Sequence, residues 1–394
     1  MNLIYNNQEE IATKIKEFLL KVFPSIRKTQ LKIIPYIVLG MILSESTVAS
    51  DISKELKGNF SLIQHDSIIK RIKRFFTNKL FNPYDFYDKI IRYVISTYKK
   101  KHDDKRIHII FDHMFSHENY TVFMISMRIG KQGIPLWFRC FKGKNDSNAF
   151  AESLLKEGIS YVSNLFDESY DLIFLADRWF NSTTLMEHIN SLGHTYCFRL
   201  KGNITVFDKQ TDNYYIKKNI GDLKKYIHHA NWLYDIPITM DKYKINIAIS
   251  NSINTNDPWI IATNGDPKRA IKDYSYRFGG IESIFKNQKS NGLYMESTVK
   301  ASLKYFESMY TIACFTTLFL TLFGADYTKN TKSYRKVKLK THKKFKDGTR
   351  RRVMSLFNIG LTLFKLAYNS NKYIRIPFLF TLYDIWIFYN LTNY

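Results

Sequence analysis

The chain has 394 residues, enough for two or three domains and a large apolar core. Lys and Arg outnumber Asp and Glu by 59 to 35, a formal charge of +24, which points to a polyanionic partner, nucleic acid ahead of a membrane surface. Three dispersed cysteines, Cys140, Cys197 and Cys314, speak against a disulfide framework or a cysteine zinc site and read as buried thiols in a reducing compartment.

The first ten residues carry no basic stretch followed by an apolar one, so no secretory leader is expected. Residues 1–100 read as helices, with apolar residues at helical spacing over Glu9–Phe23 and Lys28–Leu43. A short helix over Ser46–Leu56, a turn, and a second helix over Asp66–Phe76 follow. The second carries Lys70, Arg71, Lys73 and Arg74 between its apolar residues. Two short helices with the second one basic fit a helix-turn-helix-like DNA reader. An ordinary bundle with a solvated basic face fits the same pattern.

Lys99–Arg106 is a charged linker and a domain boundary, and the period then changes. Ile107–Phe111 is a strand ending at Asp112; Tyr120–Ile129 and Ile134–Phe141 complete a three-stranded meander. A helix spans about Asn148–Leu165. Asp171–Ala176 is a fourth strand ending at Asp177, and a helix over Ser182–Leu192 follows. Asp112 and Asp177 then sit at the ends of adjacent strands. Taken singly, one is an ordinary turn residue and the other an ordinary helix cap.

Residues 178–281 are rich in strands: Thr195–Leu200, Ile204–Phe207, Tyr214–Lys217, Lys242–Ser250 and Trp259–Thr263. The stretch Tyr274–Gly292 comes next and organises the chain. Ile281, Ile284 and Phe285 share one helical face, and Glu282, Lys286 and Lys289 lie at i, i+4 and i+7 on one side. Tyr274 and Arg277 stand just upstream, and Ser290-Asn291-Gly292 is a stop signal. A surface helix with a Glu–Lys pair is the plainer reading of this segment alone.

A helical run over Val299–Ala325 contains 18 uncharged residues between Glu307 and Asp326, at the lower edge of a membrane span. Its threonines and charged flanks favour a buried core helix and no membrane. Lys329–Arg352 holds twelve Lys or Arg against one acid, Asp347, and reads as a phosphate-contacting loop between helices at Val353–Tyr368 and Ile376–Tyr389.

Tyr274, Arg277, Glu282 and Lys289 resemble the Tyr–Arg–Glu–Lys signature of bacterial insertion-sequence DDE transposases, and Asp177-Arg178-Trp179-Phe180 is similar to that family's second-aspartate motif. Two residues separate Tyr274 from Arg277 and six separate Glu282 from Lys289, as in the signature; Arg277 to Glu282 has four where the family has three, from the pair Gly279-Gly280. The resemblance covers about Arg106–Gly292. It implies an α/β fold: an RNase H-like catalytic core over 101–325 with an all-β insertion at about 195–265. A helical DNA end-binding domain at 1–100 and a basic loop with C-terminal helices at 326–394 flank it. It implies Asp112, Asp177 and Glu282 as catalytic metal ligands for two Mg²⁺ or Mn²⁺ ions about 3.5–4 Å apart. Arg277, Lys286 and Lys289 are then phosphate contacts, Tyr274 positions the same backbone, and Trp259 stacks on a base flipped from the duplex during hairpin formation. The implied activity is cutting at terminal inverted repeats and joining to target DNA, by a homodimer on double-stranded DNA in a bacterial cytoplasm, at the nucleoid. A nuclease without strand transfer and a non-catalytic transposase-derived DNA binder are the rival readings.

Overall fold

The computed structural model describes residues 3–4, 8–56, 64–97, 105–116, 119–144, 146–211, 214–219, 231–250, 259–290, 292–295, 301–329, 339–344, 346, 348–352, 354–369 and 374–375. The expected helix at Ile376–Tyr389, much of Lys99–Lys105 and part of the basic segment lie outside them.

A short strand, β1 (Leu3–Ile4), precedes five helices: α1 (Gln8–Val22), α2 (Lys28–Ser44), α3 (Ala49–Glu55), α4 (His65–Phe76) and α5 (Pro83–Ser96). Asn82 caps α5 by accepting from the amides of Tyr84 and Asp85, and Pro83 sits at the start, where no amide is missed. α4 is strongly two-sided. Ile68, Ile72, Phe75 and Phe76 are buried, while Lys70, Arg71, Lys73 and Arg74 all face solvent.

The sheet strands are β2 (Arg106–Ser116), β3 (Tyr120–Ile129), β4 (Gln132–Lys142), β5 (Asp171–Ala176), β6 (Thr195–Arg199), β7 (Thr205–Thr211), β8 (Tyr214–Asn219), β9 (Asn231–Ile238), β10 (Tyr243–Ser250) and β11 (Trp259–Thr263). They form one ten-stranded sheet in the order β4-β3-β2-β5-β6-β11-β10-β9-β7-β8. β2, β5 and β6 run parallel, β3 is antiparallel to both β2 and β4, and every pairing beyond β6 is antiparallel. The strand-rich segment after Asp177 is therefore an extension of the main sheet through β11 on the free edge of β6. Strand β9 is not among the strands expected from the sequence.

β2 is longer than its sequence pattern suggests. It pairs with β5 only from Arg106↔Asp171 to Ile110↔Leu175, but with β3 as far as Ser116↔Tyr120. Asp112 consequently lies inside a strand rather than at its end, because the meander partner continues where the parallel neighbour stops.

Helices α6 (Glu152–Ser163) and α7 (Thr183–Ser191) cover one face. Helices α8 (Pro267–Ser275) and α9 (Ile281–Lys289) cover the other. Strand alternation sorts the side chains. Ile125 meets α6 at Gly158, whereas Ile110 meets Gly280 at the head of α9. His108, Ile110 and Asp112 share that second face.

Helix α10 (Leu303–Lys329) joins the two halves. It is the one described helix long and apolar enough to cross a membrane, and its apolar window is wholly buried. It packs on α2, α4 and α5 on one side and on β4 and α9 on the other. Phe315 stacks on Phe18 at 6.1 Å, and Tyr305 meets Phe76 edge-on at 5.0 Å. Thr316, Thr317 and Thr321 each donate back to the carbonyl four residues earlier, so their buried hydroxyls are satisfied. The expected boundary at 325/326 falls inside this helix. A short hairpin, β12 (His342–Lys344) with β13 (Arg350–Arg352), lies within the basic segment. Helix α11 (Leu356–Asn369) crosses α10 where Gly324 and Gly360 bring the backbones together, and β14 (Ile374–Arg375) pairs with β1.

Candidate active site

Asp112 and Asp177 each stand two residues beyond the last β2–β5 pair, Ile110↔Leu175, so the diverging strands hold them side by side. Asp177 also caps a single 3-10 turn, Arg178–Phe180, with Oδ1 accepting from the Arg178 amide at 2.7 Å. Glu282 is in the first turn of α9, where a carboxylate is favoured by the helix dipole.

The three acids meet at Arg277. Its Nη2 donates to Asp112 Oδ2 at 2.8 Å and lies 3.8 Å from Asp177 Oδ2, and its Nη1 lies 3.6 Å from Glu282 Oε1. The arginine side chain is 8% exposed, against 26%, 27% and 49% for the three carboxylates, so it arrives from beneath. Its Nε has no hydrogen-bond partner among the described residues.

Arg277 reaches the acids from the loop between α8 and α9. Residues 267–275 form α8, capped by the Asp266 carboxylate and opened by Pro267. The Arg277 amide then bonds back to the Tyr274 carbonyl at 2.9 Å. Gly279 takes φ +81°, a conformation that favours glycine, and a Cβ on Gly280 would lie 2.4 Å from Ile110 Cδ1, so the end of that side chain would have to shift. The extra residue between Arg277 and Glu282 is absorbed by this two-glycine pivot, and the arginine still reaches all three acids.

A second ionic group fixes α8 to the sheet. Asp273 accepts from Arg106 Nη2 at 2.9 Å and from His108 Nε2 at 3.1 Å, and Arg106 Nε reaches Asp171 at 3.3 Å. Burial opposes the charge on Asp273, but His108 and Arg106 outweigh it and hold its carboxyl below the ordinary value. Burial lowers His108. At Asp112 burial dominates and raises the carboxyl, although Arg277 and the His113 amide pull it down and Asp177 and Glu282 push it further up.

His113, beside Asp112, went unnoticed in the sequence. Burial pushes its imidazole down to about 4, its Nε2 donates to the Ala149 carbonyl at 2.7 Å, and its ring stacks on Phe180 at 5.0 Å. It is a neutral packing group behind the aspartate.

The remaining expected residues divide. Tyr274 is fully buried, with a hydroxyl that has no hydrogen-bond partner among the described residues and is pushed up to about 12 by burial. Trp259 opens β11 half-buried; Phe278 stacks on it at 5.4 Å and Tyr274 meets it edge-on at 5.3 Å. Lys286 is exposed and Lys289 half-buried on α9, while Asn287 and Gln288 of that helix are buried. Lys70, Arg71, Lys73 and Arg74 belong to the separate basic face of α4. Trp179, which carried no role in the sequence reading, is 79% exposed two residues after Asp177, with Lys201 Nζ 5.3 Å from its ring centre.

The acids offer oxygen donors alone, a set suited to hard divalent cations. Among the described residues no three such side chains stand near enough to share one ion. They are spread around the guanidinium.

No family model and no curated protein matches this chain. Among solved structures, a piggyBac transposase synaptic complex with hairpin DNA aligns over 92% of this chain and 78% of that chain, at 12% identity and a TM-score of 0.46. At that identity and score the likeness by itself decides neither fold nor function.

Proposed function

We propose that the chain is a DDE transposase that cuts DNA at the ends of a mobile element and joins them to a target. The observation that carries this is the convergence of Asp112, Asp177 and Glu282, from three separate elements, on one partly open cluster. The order β4-β3-β2-β5-β6, with β3 alone reversed, supports an RNase H-like core. Strands β7–β11 are then the inserted part.

In this reading Asp112, Asp177 and Glu282 are the residues that would hold Mg²⁺ or Mn²⁺. Two such ions would activate a water or 3′-hydroxyl and stabilise the leaving oxygen. The His113 and Arg178 amides hold the two aspartates through their other oxygens. Lys286 and Lys289 orient phosphates along α9. The basic face of α4 binds the duplex beyond the cut, and the exposed Lys343, Lys344 and Lys346 add further phosphate contacts. A hairpin intermediate with a base stacked on Trp259 requires Phe278 to move aside. The proposed assembly is a homodimer holding two DNA ends, in a bacterial cytoplasm.

The test is cleavage of a linear fragment carrying the gene and several hundred base pairs of native flank, with and without Mg²⁺, beside Glu282→Ala. Metal-dependent cuts at two inverted flanking sequences, hairpin ends, and no product from the variant are expected. Cutting without joining would move the assignment to a nuclease. Binding without cutting would make the chain a DNA binder.

A further inference from the structure

We infer that the outer surface of α8 and the adjoining part of β9 bind a single strand of DNA leading away from the carboxylate cluster, with the Trp232 ring as a stacking platform for a base. This rests on the proposed function, since it takes DNA as the partner.

The sheet register leads from the acids to this surface. Ala176 pairs with Phe198, so the next step of the same register sets Asp177 beside Arg199. Arg199 pairs with Ile261, Ile261 with Ala248, and Ala248 with Trp232. Paired residues share a face of the sheet, so Trp232 stands on the face that carries Asp177. Four strand spacings separate them, about 19 Å. That is the length of about five or six stacked nucleotides. Helix α8 covers the line between the two: Ile261 and Ala248 are buried, and α8 packs on β11, β10 and β9. Trp232 emerges beyond it, 44% exposed.

The groups on this surface suit a nucleic-acid strand. Lys268, Arg269 and Lys272 of α8 face solvent, and Lys268 Nζ lies 5.8 Å from the Trp232 ring centre. Lys268 and Arg269 stand in the first turn of α8, where the helix dipole disfavours positive charge, so they are not there to stabilise the helix. Lys244 is exposed on the Ala248 face of β10. Two acids stand among these four cations: Asp266, whose Oδ1 caps α8 by accepting from the Lys268 amide, and the exposed Asp235. The surface therefore stays net positive. Tyr234, 51% exposed, sits in a bulge of β9, where Leu233 faces Ile247 and Ile236 faces Ile245. A bulge re-aims the side chains of its strand. Exposed rings among lysines are the ingredients of a single-strand groove, in which the rings take base faces and the cations take phosphates. A duplex keeps its bases stacked on one another, so it can use the cations and not the ring.

The experiment is fluorescence anisotropy of the full chain across a salt series. The probes are a labelled oligothymidylate of about ten nucleotides, within the site sizes of single-strand grooves, and a blunt duplex. The variants are Trp232→Ala, Trp232→Phe, Lys268→Gln combined with Lys272→Gln, and Trp179→Ala. Trp232→Ala is expected to weaken oligothymidylate binding about tenfold, Trp232→Phe to recover most of it, and neither to change duplex binding. The double glutamine variant is expected to flatten the slope of log affinity against log salt for the single strand by up to about 1.4, two contacts at about 0.7 each. Equal single-strand affinity in wild type and Trp232→Ala overturns the inference. So does equal loss on single strand and duplex, which a purely structural ring predicts, and so does loss confined to Trp179→Ala, which places the strand elsewhere. Should Trp232→Ala not fold, the double glutamine variant is read by its slope, and an unchanged slope overturns the inference. A wild type that binds duplex but no oligothymidylate overturns the inference and leaves the proposed function standing; one that binds neither overturns both.

Discussion

Arg106 at the start of β2 donates through Nη2 to Asp273 of α8 at 2.9 Å, across 167 positions of sequence, and the Asp273 side chain is 6% exposed. This pair ties α8, which ends at Ser275, to the strand that carries Asp112. The position of Arg277 therefore depends on a contact remote from the site. Asp273→Asn should destabilise the fold by roughly 3–5 kcal/mol at neutral pH, the usual range for breaking a buried pair. The pH dependence has a definite sign. Because the folded-state carboxyl lies below its ordinary value, its stabilisation is complete above the ordinary carboxylate range and is lost as pH falls through the folded value. Urea melts at pH 7 and pH 3 should show a larger gap between wild type and variant at the first than at the second. An equal gap at both would remove Asp273 from this role.

The head of α9 is seated by two glycines in contact. A Cβ on Gly133 would lie 2.6 Å from the Gly280 carbonyl oxygen, which is backbone and cannot turn away. Gly133→Ala should cost about 1–3 kcal/mol, as overpacking does. It should also shift Glu282 and reduce cleavage beyond what the lost stability explains. Thermal melts alongside cleavage rates check this, and unchanged rates in a destabilised chain would confine the glycine to packing.

The basic face of α4 predicts a salt effect without a fold effect. Changing Lys70, Arg71, Lys73 and Arg74 to alanine should leave the melting temperature nearly unchanged, since all four are exposed. DNA affinity should fall, and the slope of log affinity against log salt should flatten by up to about 0.9 for each lost phosphate contact. Fluorescence anisotropy across a salt series measures both. An unaltered slope would return α4 to an ordinary bundle helix.

Trp179 is the most solvent-exposed large hydrophobic side chain among the described residues. It sits beside Asp177, with a lysine near its ring. Trp179→Ala should weaken binding of single-stranded or frayed DNA ends by about 1–3 kcal/mol, the usual worth of one stacked base. Trp179→Phe should recover most of it. Anisotropy with an unpaired-end oligonucleotide is the measurement, and equal affinity in all three chains would rule out stacking. The same assay on Trp259→Ala asks whether the half-buried ring under Phe278 contributes.

Much of this protein was determined locally. Continuous apolar runs marked β3, β5 and β11 to the residue, because a strand buried on both faces reads that way in any context. Helical spacing found α2, α4 and α9 within a residue or two, and the threonines of α10 signalled burial in protein. The three acids stood out because each sits at an abrupt change of pattern. What the chain alone could not decide depends on distant partners. β2 runs past Asp112 because β3 continues beside it, and the later strands join the main sheet because β6 leaves an edge open. The signature marks Arg277 as a phosphate contact, but its ion pairs are not legible in the chain: its nearest partner, Asp112, is 165 positions away, and strand register and the loop before α9 bury it among three carboxylates. Local sequence sets the conformation of each segment; burial and charge pairing, which select what each side chain does, arise when the segments pack.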